Sequence, residues 1–360
     1  MTGMENTGVL LMNLGSPDST SVADVRNYLM EFLMDGRVID YPYLFRKILV
    51  GGIIVPFRAP KSAEAYRAIW TDGGSPLIVL TKKLQESLEK EVKHPVEIAM
   101  RYRHPSIKEG FERLLDRVHG MKRVIAIPLY PHYAMSSYET AVEYASAVYS
   151  KNNYDFRLDF IKPFYNHEHY ITALCESIRP YLEEDFDHLL FSYHGIPRRH
   201  ILKSDPTGKH CLGNEACCQT PSLAHATCYR YQVFETTRLV TRQLGMDPAR
   251  FSISFQSRLG KGWLQPFTDK RLQEMPALGI KKLLVVSPAF VSDCLETLEE
   301  IAIRGRDTFL EAGGLEYEMI PCMNTHALWV QTIAGWIDSI SGGKEEMLLD
   351  SGINKEPYVS

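Results

Sequence analysis

The sequence predicts an α/β protein made of two similar doubly wound, Rossmann-like lobes, each with a four-stranded parallel sheet. The length of 360 residues corresponds to roughly two domains of ordinary size. Short apolar runs recur along the chain, and most are continuous rather than alternating, as in strands buried on both faces. Helical periodicities separate these runs, and repeated strand–helix units are typical of a parallel sheet covered by helices.

The apolar runs divide into four predicted strands for each lobe. The strands are expected at residues 8–15, 97–102, 124–131, 156–161, 188–194, 251–257, 282–288 and 316–323. Helical periodicity predicts helices at residues 21–34, 76–94, 107–119, 138–150, 168–184, 229–244, 295–311 and 326–340. The predicted organisation is an N-terminal lobe at 1–165, a C-terminal lobe at 166–325, a C-terminal helix at 326–341 and a loose polar tail at 342–360.

Composition and charge exclude several classes of protein. Lys and Arg number 40 and Asp and Glu number 44, so the formal net charge of −4 argues against a nucleic-acid-binding protein. No apolar run approaches the ~20 residues of a transmembrane helix. The first eight residues lack the basic start of a signal peptide. We therefore expect a cytoplasmic protein.

Two segments interrupt the alternation of strands and helices. Residues 41–60 form a dense apolar stretch, which is either a buried connection or an apolar lip, residues 44–57, over a large ligand or against a membrane surface. Residues 203–228 look like an insertion, and they contain four of the seven cysteines.

Candidate catalytic residues follow the predicted strands of the second half. In doubly wound sheets, ligands bind outside the carboxyl ends of the strands. His194 ends one such strand, and Glu296 and Glu300 lie four residues apart on a predicted helix, hence on one face. Histidine with carboxylates suits divalent metal binding and acid–base chemistry. The alternative for His194 is a core histidine that is satisfied by hydrogen bonds. The alternative for Glu296 and Glu300 is the solvent-exposed, acidic first turn of a helix.

Several short motifs together resemble one known family. They are Asn13-Leu14-Gly15-Ser16-Pro17, Gly73-Gly74-Ser75-Pro76-Leu77, Arg101-Tyr102-Arg103-His104-Pro105, Tyr130-Pro131-His132-Tyr133, Ser192-Tyr193-His194-Gly195-Ile196-Pro197, Phe255-Gln256-Ser257-Arg258 and Ser292-Asp293-Cys294-Leu295-Glu296-Thr297-Leu298. In this order, and with their spacing kept over residues 8–330, they resemble ferrochelatase, the terminal enzyme of haem synthesis. The variants at His194-Gly195-Ile196-Pro197 and Cys294-Leu295-Glu296 resemble the proteobacterial type.

The resemblance implies a lyase reaction in which Fe²⁺, as substrate, is inserted into protoporphyrin IX to give protohaem and two protons. It implies that His194 is a proton acceptor or metal ligand above the ring. It further implies that Glu296 is the catalytic glutamate, also near the metal, and that Glu300 is the next carboxylate of a line that passes protons or metal.

The resemblance also implies a porphyrin cleft between the two lobes. The porphyrin-facing positions that it implies are Leu14, Arg58, Tyr66, Arg101, Tyr102, Tyr130 and Trp263. Arg58 and Arg101 would meet the propionates, because a planar guanidinium pairs well with a carboxylate. The lip would cover the vinyl and methyl edges of the ring. It would also allow peripheral contact with the inner membrane or with the preceding enzyme of the haem pathway.

The sequence departs from many relatives at two places. Cys294 stands where many have a second histidine, and a thiol is a softer ligand and a poorer base, so we do not expect this position to be essential. The insertion carries Cys211, Cys217, Cys218 and Cys228, and some bacterial ferrochelatases hold a [2Fe–2S] cluster with four cysteines in an internal segment. A structural Zn²⁺ with help from His210 or His225 is the alternative, although adjacent cysteines are not the usual zinc spacing. Four unliganded thiols are the remaining possibility.

Three other functions compete with this interpretation. A cobalt chelatase acting on a sirohydrochlorin-like tetrapyrrole would need a more basic and less apolar pocket, because that ring carries more carboxylates. A non-catalytic haem or metal sensor would bind product tightly without turnover. A nucleotide-dependent oxidoreductase is disfavoured because the chain lacks the glycine fingerprint of a dinucleotide site.

Overall fold

The computed structural model describes residues 6–258, 260 and 262–349. These residues form two compact units. The first contains the described residues up to Leu129, then Met135–Pro163, then those from Val330 onwards. The second contains Tyr130–Ala134 and Phe164–Trp329. No helix in the described part of the chain is long and apolar enough to cross a bilayer.

Each unit contains one four-stranded parallel sheet, and the two sheets have the same topology. The strands of the first unit are β1 (Thr7–Gly15), β2 (Val96–Tyr102), β3 (Arg123–Pro128) and β4 (Arg157–Phe160), in the order β2-β1-β3-β4. Those of the second are β5 (His188–His194), β6 (Phe251–Gln256), β7 (Lys282–Val286) and β8 (Glu316–Met319), in the order β6-β5-β7-β8. The predicted fold class, with two doubly wound lobes, is therefore confirmed.

The central strands are continuous apolar runs because helices cover both of their faces. The side chains of β1 from Val9 to Met12 are fully buried, as are those of β5 from Leu189 to Tyr193. The order of strands places the first strand of each sheet between the second and third. This is the switch point at which doubly wound folds bind their ligands.

The helices cover the sheets at the predicted places, with small differences at their ends. The α-helices are α1 (Val22–Leu33), α2 (Tyr43–Ile48), α3 (Val55–Ile69), α4 (Pro76–Glu91), α5 (Ile107–Arg117), α6 (Thr140–Lys151), α7 (Glu168–Leu182), α8 (Arg198–Lys203), α9 (Tyr229–Gln243), α10 (Thr268–Glu274), α11 (Arg306–Glu311) and α12 (Ala327–Ser341). π-Helical segments lie at Leu49–Ile54, Met135–Glu139 and Glu296–Gly305. Because π-turns are rare and concentrate at functional sites, the last of these segments is of particular interest.

The apolar stretch after residue 40 is not a buried connection, so that interpretation is wrong. It forms α2, the first π-helical segment and α3, and it is amphipathic. Val55, Ala59 and Ala63 are buried on the inner side of α3, which packs on α1. Leu44 and Phe57 lie on the outer side with 70% and 76% of their surface exposed. The stretch therefore presents an exposed apolar face.

The first part of the predicted loose tail is held against the first sheet. The backbone of Lys162 donates to the carbonyl of Met347 at 3.0 Å, and that of Leu349 donates to Phe160 at 2.8 Å. Leu348 is buried beside Ile161, with which it forms a β-bridge. Apolar burial and backbone pairing thus fix residues up to 349, contrary to the expectation. The remainder of that tail, residues 350–360, and residues 1–5 of the predicted N-terminal lobe lie outside the described residues.

Candidate active site

The second unit brings His194, Glu296 and Glu300 to the carboxyl end of its sheet. His194 is the last residue of β5 and the first that emerges from the buried strand. Its backbone carbonyl accepts a hydrogen bond of 2.8 Å from the Tyr229 hydroxyl. Its ring lies edge-on to Phe290, with centroids 6.2 Å apart. His194 is half-buried, with its backbone held by Tyr229 and its ring in contact with Phe290.

Gly195 allows the chain to turn immediately after this histidine. Its N–H donates to the carbonyl of Gln256 at 2.8 Å. A Cβ at this position would lie 2.6 Å from the same carbonyl oxygen and 3.3 Å from the Trp263 ring. Only glycine fits this close approach between the β5 exit and β6.

Both glutamates lie on the π-helical segment that follows β7. Asp293 anchors the start of this segment, because its carboxylate accepts from the Thr297 hydroxyl at 2.9 Å and from the Asn324 amide at 2.7 Å. The side chain of Gln256 donates to the carbonyl of Glu296 at 3.1 Å. The N-terminal end of the segment is therefore fixed by its neighbours in the second unit.

Two donors from Ser257 hold the carboxylate of Glu300. The Ser257 backbone N–H lies 2.8 Å from Oε1, and its hydroxyl lies 2.5 Å from Oε2. Burial raises the pKa of Glu300 above its ordinary value. The hydrogen bonds from Ser257 and the charge of His194 lower that pKa, and the charge of Glu296 raises it. His194 and Glu296 are thus close enough to Glu300 for their charges to affect its pKa.

The sequence interpretation assigned no role to Ser257 or Gln256. The motif Phe255-Gln256-Ser257-Arg258 was recognised, and polar residues directly after a buried strand are the signal that could have identified them. Gln256 is 2% exposed, and its side-chain amide oxygen accepts from the Ser192 hydroxyl at 2.7 Å. The end of β6 therefore contacts the glutamate-bearing segment at two successive residues.

Cys294 is not placed as a base or a ready metal ligand. Its side chain is 6% exposed, and burial raises the pKa of this thiol well above its usual range. The thiol therefore stays protonated.

The other predicted substrate-binding residues are distributed over both units. In the second unit, Tyr130 is buried, and Trp263 is half-buried and forms a β-bridge with Pro197. In the first unit, Leu14 is half-buried at the end of β1 and Arg58 is exposed on α3. Tyr66, also on α3, is buried with its ring edge-on to Tyr28 at 6.3 Å and Trp70 at 6.0 Å.

Arg101 and Tyr102 lie in a different environment from the open propionate site that the resemblance implies. Arg101 is 4% exposed, and its guanidinium forms an ion pair of 2.5 Å with Asp35. The guanidinium also donates to the Thr140 hydroxyl at 2.9 Å and lies between the rings of Tyr102 and Tyr144. The Tyr102 hydroxyl donates to the same Asp35 carboxylate at 2.9 Å. In the first unit, these two residues complete a buried ion-pair network.

The four cysteines of the insertion converge between α8 and α9. The thiol of Cys228 hydrogen-bonds with those of Cys211 and Cys218, and Cys218 also contacts Cys217. Cys211, Cys217 and Cys228 are buried. Burial raises the pKa of the Cys211 thiol to about 11. Within the described residues, no group of three or more His, Cys, Asp and Glu side chains is arranged to hold a metal ion.

Polar groups organise the backbone around these thiols. The Asp205 carboxylate accepts from the N–H groups of His210 and Cys211, each at 2.8 Å. His210 and His225 both direct Nε2 to the carbonyl of Cys217, at 2.8 and 3.3 Å, rather than to a thiol. Arg230 extends one guanidinium nitrogen to the sulfurs of Cys217 and Cys218, at 3.5 and 3.4 Å.

Comparisons with known proteins agree with this geometry. A family model described as ferrochelatase matches residues 6–340. The ferrochelatase of Pseudomonas syringae pv. tomato is 48% identical over 332 residues, which cover 92% of this chain and 97% of that protein. The ferrochelatase of Ectopseudomonas mendocina is 49% identical over 333 residues, with the same coverage.

A solved structure supports the fold independently. SirB from Bacillus subtilis, in a structure with Fe³⁺, has a TM-score of 0.53 and 14% sequence identity, and the match covers 96% of this chain and 99% of that one. At this identity the likeness concerns the fold alone. The family match over nearly the whole chain and the identity to curated relatives lead to one conclusion: this chain belongs to the ferrochelatase family, the lyases that form protohaem by inserting ferrous iron into protoporphyrin IX.

Proposed function

We propose that His194, Glu296 and Glu300 perform the chemistry of this ferrochelatase. The observation that carries the proposal is that these residues follow strands of the second sheet at its carboxyl end, where Glu300 is half-buried and its pKa is raised. Fe²⁺ enters as protoporphyrin IX loses its two inner N–H protons, so the protein must accept two protons next to a metal ion. His194 accepts a proton or binds the metal above the ring, and the two glutamates carry protons away or guide the metal.

Binding of the porphyrin would supply the free energy that bends the ring and exposes its nitrogens. We assign ring contacts to Leu14, Tyr66, Tyr130 and Trp263, and a propionate contact to the exposed Arg58. Because the Arg101 guanidinium is already paired with Asp35, we assign Arg101 and Tyr102 a supporting role behind the ring-facing side chains.

A direct assay tests the proposed site. Anaerobic Fe²⁺ or Zn²⁺ is added to protein and protoporphyrin IX, and porphyrin fluorescence is followed. The wild-type protein should quench the porphyrin fluorescence as metal is inserted. His194→Ala should abolish metal insertion, and the variant should still unfold in a cooperative transition. Full activity of folded His194→Ala would remove this residue from the mechanism. Turnover of a sirohydrochlorin with Co²⁺ in place of protoporphyrin would instead favour the cobalt chelatase, and tight haem binding without turnover would favour a sensor.

We further propose that Cys211, Cys217, Cys218 and Cys228 hold a [2Fe–2S] cluster. The pairwise contacts among the four thiols support this proposal, because a cluster with two irons needs two thiolates on each, although the thiols are not arranged around a common centre in this structure. When bound, the cluster would cross-link the segment. Protein purified without oxygen should contain iron and acid-labile sulfide and absorb visible light. Replacing Cys218 by Ser should remove the colour, whereas the control Cys175→Ser should keep it. Colourless protein with one Zn²⁺ per chain would support the zinc alternative.

We also propose a cytoplasmic enzyme whose exposed lip, residues 44–57, contacts a membrane surface or the enzyme that delivers protoporphyrin. The exposure of Leu44, Ile48 and Phe57 supports this proposal. Replacing all three by Ser should reduce co-sedimentation with lipid vesicles and leave turnover of detergent-solubilised porphyrin less affected. Equal co-sedimentation of the variant and wild type would contradict the membrane contact.

A further inference from the structure

We propose that Ser257 is a positioning residue that fixes the orientation of the Glu300 carboxylate. This inference rests on the proposed role of Glu300. Ser257 is distinct from the three residues to which we assign the chemistry.

The two hydrogen bonds from Ser257 define the plane of the carboxylate. The backbone N–H binds Oε1 at 2.8 Å while the hydroxyl binds Oε2 at 2.5 Å. One donor on each oxygen restricts rotation about the last side-chain bond, which a single donor would leave free. Hydrogen bonds to an ionised carboxylate are also shorter and stronger than neutral ones. Ser257 therefore sets the direction of this group.

The backbone at Ser257 is bent to make this contact. Its φ angle is +60°, in the left-handed region that residues other than glycine rarely adopt. Such conformations persist where the surroundings enforce them, and they cluster at functional sites. The preceding Gln256 provides the enforcement, because its side chain is held by Ser192 and donates to the Glu296 carbonyl.

The charged groups around Glu300 do not replace these two donors. His194 at the end of β5, Glu296 on the same π-helical segment and Arg304 near the end of that segment all influence Glu300 through charge. Arg304 is itself hydrogen-bonded to Glu299, at 2.7 and 2.9 Å. Ser257 donates to both oxygens of Glu300, so we assign it the orientation of this carboxylate.

The experiment compares Ser257→Gly with Ser257→Ala in the full-length protein. Both variants keep the backbone N–H and remove the hydroxyl. Glycine adopts the positive φ angle without strain, whereas alanine retains that strain. A loss of activity that both variants share therefore reports the missing hydroxyl. Ser254→Ala is the matched control, because it removes a buried hydroxyl from β6, the strand that Ser257 directly follows. The Ser254 hydroxyl bonds to Thr268 and not to Glu300. Steady-state kinetics with varied Zn²⁺ and varied porphyrin are measured for each variant, together with thermal unfolding.

Both Ser257 variants should lower kcat about three- to ten-fold or raise the KM for metal by that factor, with the KM for porphyrin unchanged. Ser254→Ala should keep wild-type kinetics. In a Glu300→Gln background, Ser257→Gly should have little further effect, since the carboxylate it orients is gone.

Two results would overturn the inference while leaving the catalytic role of Glu300 intact. One is an impaired Glu300→Gln together with wild-type kinetics for both Ser257 variants. The other is an equal loss from Ser257→Gly in both backgrounds, which would mean that Ser257 only ties β6 to the helical segment. Wild-type activity of Glu300→Gln would instead contradict the proposed function of Glu300, and the inference with it.

Discussion

Replacing Gly195 by Ala should displace His194, the histidine that we propose to be catalytic, without removing any functional group. The added methyl would lie 2.6 Å from the carbonyl oxygen of Gln256, a distance that real Cβ atoms essentially never show. The obstacle is backbone rather than a flexible side chain, so β5 and β6 must separate at their ends by about 0.4 Å to reach even the shortest distance that real Cβ atoms show.

This overpacking has a thermodynamic and a kinetic consequence. Inserting a methyl group into a well-packed site typically costs about 1–3 kcal/mol, part of which comes from the hydrogen bond between Gly195 N–H and Gln256. A displacement of about 1 Å at reacting groups can cost about 100-fold in rate. For a shift of less than half that size next to His194, we expect kcat to fall by about ten-fold.

The assay combines urea unfolding with the porphyrin fluorescence rate. Gly335→Ala is the matched control, because a Cβ there meets nothing within 4 Å and the residue lies inside α12. Alanine is a better helix former than glycine by ~1 kcal/mol, so the control should be slightly more stable and equally active. Wild-type stability and wild-type kcat for Gly195→Ala would refute the claim that this close approach sets the position of His194.

Three further perturbations test other contacts. Tyr229→Phe removes the hydrogen bond to the His194 carbonyl, worth about 1 kcal/mol, and should reduce the fluorescence-assay kcat by up to about five-fold; an unchanged rate would show that this bond does not position the histidine. Asp205→Asn should destabilise the protein towards urea by about 1–3 kcal/mol, because the charged acceptor of the Cys211 N–H is lost; an unchanged midpoint would contradict its organising role. Burial lowers the pKa of His132 to about 3, below the ~6.5 of an unfolded histidine, so its contribution to stability is complete above pH ~6.5 and declines as pH falls towards ~3. The unfolding free energy of His132→Gln should therefore depend less on pH in that interval, and a pH dependence equal to that of wild type would contradict the burial argument.

The fold was largely predictable because its strands are buried on both faces. Continuous apolar runs such as Leu189–Tyr193 identify a strand without any knowledge of its neighbours. The strand bounds agree within a few residues, and the longest error lies where apolar residues continue past the end of the paired strand, as after β8. The order of strands within each sheet depends on pairing between distant segments, which periodicity does not report.

The π-helical segments could not be predicted from periodicity. The spacing of Glu296 and Glu300 was interpreted as one face of an α-helix, and these two residues do influence each other electrostatically. A π-turn differs from an α-turn in the hydrogen bonds of the backbone, which the pattern of apolar side chains does not specify. The local rule therefore predicted a helical segment but not its π-helical backbone.

The environment of Arg101 shows a second limit of local sequence patterns. The resemblance implied that its guanidinium meets a propionate, and in the structure this guanidinium pairs with Asp35, which lies 66 residues away in the chain. A buried arginine must be paired, because an isolated buried charge would be strongly destabilising. No local feature of the sequence indicates which carboxylate supplies the pairing, so the resemblance alone suggested a ligand contact.

The insertion and the catalytic histidine are connected through a short path within the second unit. Cys228 ends the cysteine segment and precedes α9, whose first residue, Tyr229, donates to the carbonyl of His194. Any group that binds Cys228 constrains the start of α9, and therefore the donor that holds the end of β5. Asp205 and Arg230 organise the same segment from its two sides, through the backbone of Cys211 and the sulfurs of Cys217 and Cys218. We therefore expect collapse of this segment to lower activity, because it would disturb the hydrogen bond from Tyr229 to His194. This effect requires no electron transfer during metal insertion.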